Sequence, residues 1–378
     1  MSSLPHKAEV VVVGAGFAGL SSAAALVELG IDVVVVESEA LPGTHSSGRN
    51  AAIARRVIDE LPVAELAVLS MRTMSGLQTP EGTPIVRKTG GLMLGDEALL
   101  DRLWSLCQAV PALAADVSRL SPDEVVERVP ALRGAVFAGG IYAESDGVVD
   151  IAGLLQSFLA PLRGRVYTDV EVTGIARDGT RIHGVETSAG RIATSQIIDA
   201  AGFHANRIAA MADLGPLPFD PVRRHLFTTD QNELVAPDAP WVWDGSAGYY
   251  FRREAGGLLM CACDQTRWPA DAPIDTPVDP LARQWLAQKF DALVPGLREA
   301  RPARAWSGLR VLTPDQRFVI GRDPRLGGFT WVAGLGGHGM TTSCGIGAIV
   351  GELFATGRLP DPFAEAFDPT RFLRAFAP

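Results

Sequence analysis

Gly14, Gly16 and Gly19, in the run Gly14-Ala-Gly16-Phe-Ala18-Gly19, and Glu37 are spaced for binding a dinucleotide. The first glycine permits a tight turn. The second lets backbone approach a pyrophosphate, and the third lets a helix pack closely on a strand. Glu37, closing Asp32-Val-Val-Val-Val-Glu37, is placed to accept hydrogen bonds from a ribose diol, which favours FAD or NAD over NADP. That spacing acquires meaning only from its setting. A β-branched run, Val10-Val-Val-Val13, leads into the glycines, and a helix expected over residues 18–29 turns its N-terminal N–H groups and positive dipole end toward the phosphates.

Other residues carry chemistry of a different kind. Arg310 sits in the otherwise apolar run Gly308-Leu-Arg-Val-Leu312, where an inward-facing cation is suited to an anion. Arg224 is doubled with Arg223, and either of the two could point inward. His338 stands among glycines in Gly336-Gly-His-Gly339, with no competing side chains beside it. His6, His183, His204 and His225 are read as structural or solvated.

The elements that must hold these groups follow from hydrophobic pattern and turn chemistry. Residues 63–77, 96–110, 151–162 and 343–355 read as helices, and helix-like sequence begins at Ala51. Ser121 with Glu124 marks a helix start with a capping box. Strands are expected at residues 89–94, 166–167, 171–177, 181–188, 196–201, 249–252, 257–263 and 329–333, with a turn at Asp178-Gly179. Nucleotide-binding features occur at the start, middle and end of the chain. The expected fold is therefore α/β: a discontinuous Rossmann-like domain (1–89, 143–218, 302–378) and a second α+β substrate domain on an antiparallel sheet (90–142, 219–301). A substrate belongs in the gap between them.

Composition narrows the class. The 378 residues are 47% apolar and 20% charged with net charge −9, a balance that suits a globular enzyme and makes nucleic acid an unlikely partner. The four cysteines form no C-x-x-C pair and are read as reduced thiols. No metal is expected. No apolar run approaches the roughly 20 residues of a membrane span, and with no signal peptide evident the chain is expected to be cytoplasmic.

Six segments together resemble the D-amino-acid oxidase superfamily of flavoenzymes, and most of all its D-arginine and D-amino-acid dehydrogenases. They are Gly14-Ala-Gly-Phe-Ala-Gly19, His45-Ser-Ser-Gly-Arg49, Pro221-Val-Arg-Arg224, Trp306-Ser-Gly-Leu-Arg310-x-x-Thr313-Pro-Asp315, Ile320-Gly321 and Gly336-Gly-His-Gly-Met-Thr-Thr342. The resemblance implies FAD and oxidation of a C–N bond, with oxygen or a quinone-type compound accepting the electrons. It implies that Glu37 and Ser38 meet the adenosine ribose and that Ala201 and Gly202 also contact the cofactor. His45, Ser46, Ser47, Gly48, Arg49, Asn50, Ala51 and Ala52 would line the pyrophosphate and flavin. Val172 would touch adenine, and Gly336, Gly337, His338, Gly339, Met340 and Thr341 would bracket the flavin's pyrimidine edge. Arg224 and Arg310 match the family's carboxylate-binding arginines, and Tyr250 matches a tyrosine that adds a hydroxyl contact. Covalent-flavin sarcosine oxidases carry their flavin-linking cysteine where Arg310 stands, which implies non-covalent FAD.

Departures from the D-arginine pattern bear on substrate. Gly91 stands where those enzymes carry an acid, Ile53 where they carry a histidine, and Ile58 where they carry a lid tyrosine. A cationic side chain would lack a partner in so apolar a pocket. The expected reaction is hydride transfer from a D-amino acid, giving an imino acid that hydrolyses to an oxo acid and ammonia. Oxidation of secondary amines or N-substituted glycines is the alternative. A third reading, 2-hydroxyacid dehydrogenation, requires His338 or His45 as base.

Overall fold

Two runs of four valines, Val10–Val13 and Val33–Val36, lie side by side in parallel register near the centre of a six-stranded sheet. The computed structural model describes residues 3–270, 272–275 and 277–373. Strand order is Val319–Arg322, Phe329–Ala333, Gln196–Asp199, Val10–Val13, Val33–Val36, Val166–Tyr167, with only Val319–Arg322 antiparallel to its neighbour. Valine fills both faces because both faces are covered. Val10, Val12, Val33 and Val35 pack with helices Phe17–Glu28 and Ser343–Thr356. Val11, Val13, Val34 and Val36 pack with the antiparallel pair Val172–Asp178 and Arg181–Thr187 and with helix Ala205–Met211.

A second sheet of nine strands is antiparallel except where Gly91–Gly95 runs parallel to Trp241–Asp244. The period of two sorts its side chains. Leu92, Val242, Phe251, Met260 and Phe227 face helix Ala282–Leu293. Met93, Trp243, Tyr250, Cys261 and Leu226 face the other way, into a cluster shared with Ile53 and Val57. Among the described residues, no helix is long and apolar enough to cross a membrane.

Two expectations change. Residue 302 does not begin a return to the first domain, because Pro302–Leu312 pairs along nearly its whole length with Asp220–Thr229 of the second sheet. The first-domain strands resume at Val319. Nor does a helix begin at Ala51. Asn50 Oδ1 accepts the Ala52 N–H at 2.6 Å, Ala52 is held at φ +56°, and the chain leaves extended as the short strand Ile53–Ala54. A left-handed residue at that point cannot propagate a right-handed helix. The Ser121–Glu124 capping box forms as expected.

Candidate active site

The turn after Val13 is built around glycine. Gly14 has φ +101°, and a Cβ there would lie 2.6 Å from the Ala200 carbonyl oxygen. A Cβ on Gly19 would fall 1.9 Å from the Gly14 carbonyl oxygen, so the helix is seated directly on the turn. Glu37 reaches back over it: one carboxylate oxygen accepts the Ala15 N–H at 2.7 Å and the other accepts the Glu39 N–H at 2.9 Å. Ser47 Oγ accepts the Phe17 N–H at 2.9 Å, at the first turn of the helix.

One continuous cavity runs from Glu37 and Ser38, past this helix N-terminus, to the face of the second sheet. Its lining includes Gly14, Gly16, Ala18, His45, Ser46, Ser47, Arg49, Asn50, Ala51, Ala52, Val172, Ala201, Gly202 and all of Gly336 to Thr341. Gly19 and Gly48 do not line it; they shape the turns behind it, a Cβ on Gly48 standing 2.6 Å from the Gly43 carbonyl oxygen. The far wall is tied together by Thr341 Oγ1 donating to the Ile53 carbonyl and by Gly336 N–H donating to the Val311 carbonyl. His45 has its Nε2 2.9 Å from Glu39, and its buried Nδ1 has no hydrogen-bond partner among the described residues.

At the second sheet the register decides which side chains enter. Arg224 is paired opposite Gly308 and Val222 opposite Arg310. Arg224 and Arg310 therefore leave the same face of two adjacent strands as diagonal neighbours, about 7–8 Å apart at the backbone. Arg223, of opposite parity, turns away to Asp279 at 2.8 Å. Arg224 donates to the carbonyls of Asp264 (2.9 Å) and Cys263 (3.3 Å) but meets no carboxylate among the described residues. Arg310 lies against Gly337, its pKa lowered by burial and by Arg224. Tyr250 is buried, and its hydroxyl has no partner among the described residues. Burial raises its pKa well above the ordinary tyrosine value, so it remains a donor. Burial, then Arg55, Arg310 and Arg224, push His338 well below the usual imidazole value, and the ring is neutral.

Residues to which the sequence assigned no role also line the cavity. Trp243 lies beside Tyr250, ring centroids 4.4 Å apart, and the Arg55 guanidinium sits 4.1 Å over the Trp243 ring. His204 lines the cavity as well, its pKa lowered mainly by burial. Gly91 does not line the cavity: the Trp241 ring fills the space a side chain there would need, and a Cβ on Gly91 would lie 2.2 Å from it. Ile53 lines the cavity, whereas Ile58 is buried in the first domain's core and does not.

An α/β fold, a glycine turn under a helix N-terminus and a long cavity reaching two arginines that meet no carboxylate among the described residues are features of a dinucleotide-dependent enzyme. The family model "DAO: FAD dependent oxidoreductase" matches residues 9–353, and the chain belongs to that family. Its cofactor is FAD, and the lining fits it: the Glu37 carboxylate and Ser38 at one end, Gly14 and Gly16 without side chains at the turn, and the glycines Gly336 and Gly337 along the far wall. The chain is 28% identical to the sarcosine oxidase subunit beta of Rhizobium meliloti over 98% of its own length and 90% of that protein's. It is 29% identical to the D-amino acid dehydrogenase of Neisseria gonorrhoeae over 54% of its length and 48% of that protein's. It spans only 42% to 48% of the length of some of the curated relatives it matches. Its fold matches the crystal structure of L-proline dehydrogenase from P. horikoshii, with a TM-score of 0.87 at 24% identity over 98% of this chain and 99% of that one.

Proposed function

We propose that this chain oxidises the Cα–N bond of an amino acid, in the first instance a D-amino acid, to an imino acid that hydrolyses to a 2-oxo acid and ammonia. The observation that carries this reading is the shared face of Arg224, Arg310 and Tyr250, two cations without a carboxylate and a hydroxyl without an acceptor among the described residues. A substrate carboxylate supplies what all three lack. Charge-assisted hydrogen bonds of this kind contribute on the order of 1.5–3 kcal/mol each.

Bound FAD supplies the two-electron acceptor. The chain's part is positional: Arg224 and Arg310 fix the carboxylate, and with it the face of Cα turned to the Gly336–Thr341 wall. Oxidation by hydride loss needs a neutral amine, whose proton leaves to water. His338 offers little basicity, since its proton affinity is depressed by burial and by three arginines. That weighs against His338 as the base that 2-hydroxyacid oxidation requires for the hydroxyl proton.

A second reading, oxidation of an N-substituted glycine or cyclic secondary amine, uses the same anchor. It is favoured by the similarity to a sarcosine oxidase subunit over nearly the whole chain. Anaerobic bleaching of the bound flavin by D-amino acids, N-methyl amino acids, cyclic imino acids and 2-hydroxy acids separates the readings. Bleaching by hydroxy acids alone, or by none of the four classes, would end the proposal. Reoxidation by air against a quinone then identifies the acceptor.

A further inference from the structure

Among the described residues, four arginines have little exposure to solvent: Arg56, Arg223, Arg224 and Arg252. Three of them are neutralised on the spot, Arg56 by Asp116 and Asp146, Arg223 by Asp279, and Arg252 by Glu254. Arg224 has no such partner among the described residues. Neither has Arg310, nor Arg55, whose contacts are the Trp243 ring and the Met93 sulfur at 3.8 Å. These three guanidiniums line one end of one cavity. Among the described residues, the carboxylates that line the same cavity are engaged elsewhere: Glu37 with the Ala15 N–H, and Glu171 with Arg207 at 2.5 Å. Even with the Cys263 thiol ionised beside Arg224 and Arg310, positive charge remains in excess, which in a buried site is strongly unfavourable unless a ligand offsets it.

One amino-acid carboxylate engages Arg224, Arg310 and the Tyr250 hydroxyl, which share a sheet face. Arg55 enters from a different segment, just past the short strand Ile53–Ala54, and is held in place by its position over Trp243. It is thus a third cation on a separate support. Resting on the proposed C–N oxidation, we propose that the substrate is an amine bearing two acidic groups, with Arg55 binding the second while Arg224 and Arg310 hold the first. An iminodicarboxylate or an acidic amino acid has that chemistry, and both carry the net negative charge that a simple amino acid lacks. The apolar surroundings of Arg55, among Ile53, Met93 and Trp243, sharpen the preference. A neutral side chain placed there would leave the guanidinium desolvated and unpaired.

The test begins with binding alone. FAD-loaded protein is titrated with non-oxidisable acids, succinate against propionate and malonate against acetate, at constant ionic strength, following the perturbation of the flavin spectrum. The dicarboxylates are expected to bind at least about tenfold more tightly. That ratio should fall toward one in Arg55→Met and be partly kept in Arg55→Lys. Equal affinity of the wild-type protein for both classes would overturn the proposal, whatever the variants do, so a variant that fails to fold does not shield it. Anaerobic reduction by iminodiacetate and by D- and L-glutamate, set against sarcosine, D-alanine and D-glutamine, identifies which kind of diacid is oxidised. Reduction by D-alanine or sarcosine together with equal succinate and propionate binding would end the diacid site and leave C–N oxidation standing. Tight succinate binding with no reduction by any amine would do the reverse.

Discussion

A methyl group on Gly337 would stand 2.8 Å from Nε of Arg310 and 3.0 Å from its Cζ. Gly337 also holds φ +92°, a conformation that L side chains rarely adopt. The glycine-rich wall and the anchoring arginine are thus one construction, with the guanidinium lying flat on backbone that has no side chain.

This contact makes the two positions behave alike. Arg310→Met removes a charge-assisted anchor and is expected to raise KM by about 10- to 100-fold, with FAD still bound. Gly337→Ala should displace the same guanidinium and raise KM in the same direction. Steady-state kinetics alongside flavin-to-protein absorbance ratios checks both. An Arg310→Met enzyme with unchanged KM would remove the carboxylate role.

His338 gives a pH prediction. Its pKa lies well below the ordinary value of 6.5, so the ring is uncharged at and above neutrality and gains a proton only in more acidic solution. The pH profile of kcat/KM should therefore show no ionisation of His338 between about pH 6 and 8. His338→Gln should leave the shape of that profile unchanged while lowering its height. An acid limb near pH 6.5 that vanishes in the variant would contradict the neutral ring.

The parts of this site legible in the sequence are those where backbone geometry dictates residue type. Gly14 and Gly19 are required by contacts of 2.6 and 1.9 Å that any side chain would violate, and Glu37 follows from the length of the β-α-β unit. Side-chain direction was less legible. Periodicity separates Arg223 from Arg224 by parity, but the inward one is identified by Asp279, which is 56 residues from Arg223 in the chain. Arg55 was hidden for a related reason. It adjoins Arg56 in a segment that reads as helix, and only the left-handed Ala52 and the two aspartates bound to Arg56 turn Arg55 into the cavity. The doubled arginine, already suggestive at 223 and 224, was the available signal. Trp243 carried none beyond its even spacing on a strand.

Cys263 is expected to be a thiolate at mildly alkaline pH. The Cys261 side chain, whose sulfur accepts the Cys263 N–H at 3.2 Å, favours the Cys263 anion, and Arg224, Arg310 and Lys289 add positive potential, together outweighing burial and bringing the Cys263 pKa down to about 7. Cys261 is shifted the other way, chiefly by burial. Because a lowered thiol pKa favours the anion, thiolate absorbance near 240 nm should rise through about pH 7, well below an ordinary cysteine, and be lost in Cys263→Ser. The new negative charge lies beside Arg224 and Arg310, so affinity for a carboxylate inhibitor should weaken over the same interval in the wild-type protein and not in the variant. A thiol that titrates near 9 would sink both expectations.

Asp199 ends the central strand Gln196–Asp199 with no exposure to solvent. Its Oδ1 accepts the Ala201 N–H at 3.1 Å, and its Oδ2 has no partner among the described residues. Burial raises the carboxyl well above its usual value, with the Ala201 hydrogen bond opposing that only in part. A folded-state pKa raised above the unfolded one means that the carboxyl's contribution is fully present below about pH 3.9 and is lost as pH climbs through the raised value. Asp199→Asn keeps the Oδ1 acceptor and removes the ionisation. Its Tm relative to wild type should therefore improve as pH rises from 5 and level off above the raised pKa, by on the order of 2 °C for each kcal/mol of relieved burial. Measured on FAD-loaded protein, parallel Tm curves for the two proteins across that range would mean that Asp199 is not held protonated by the fold.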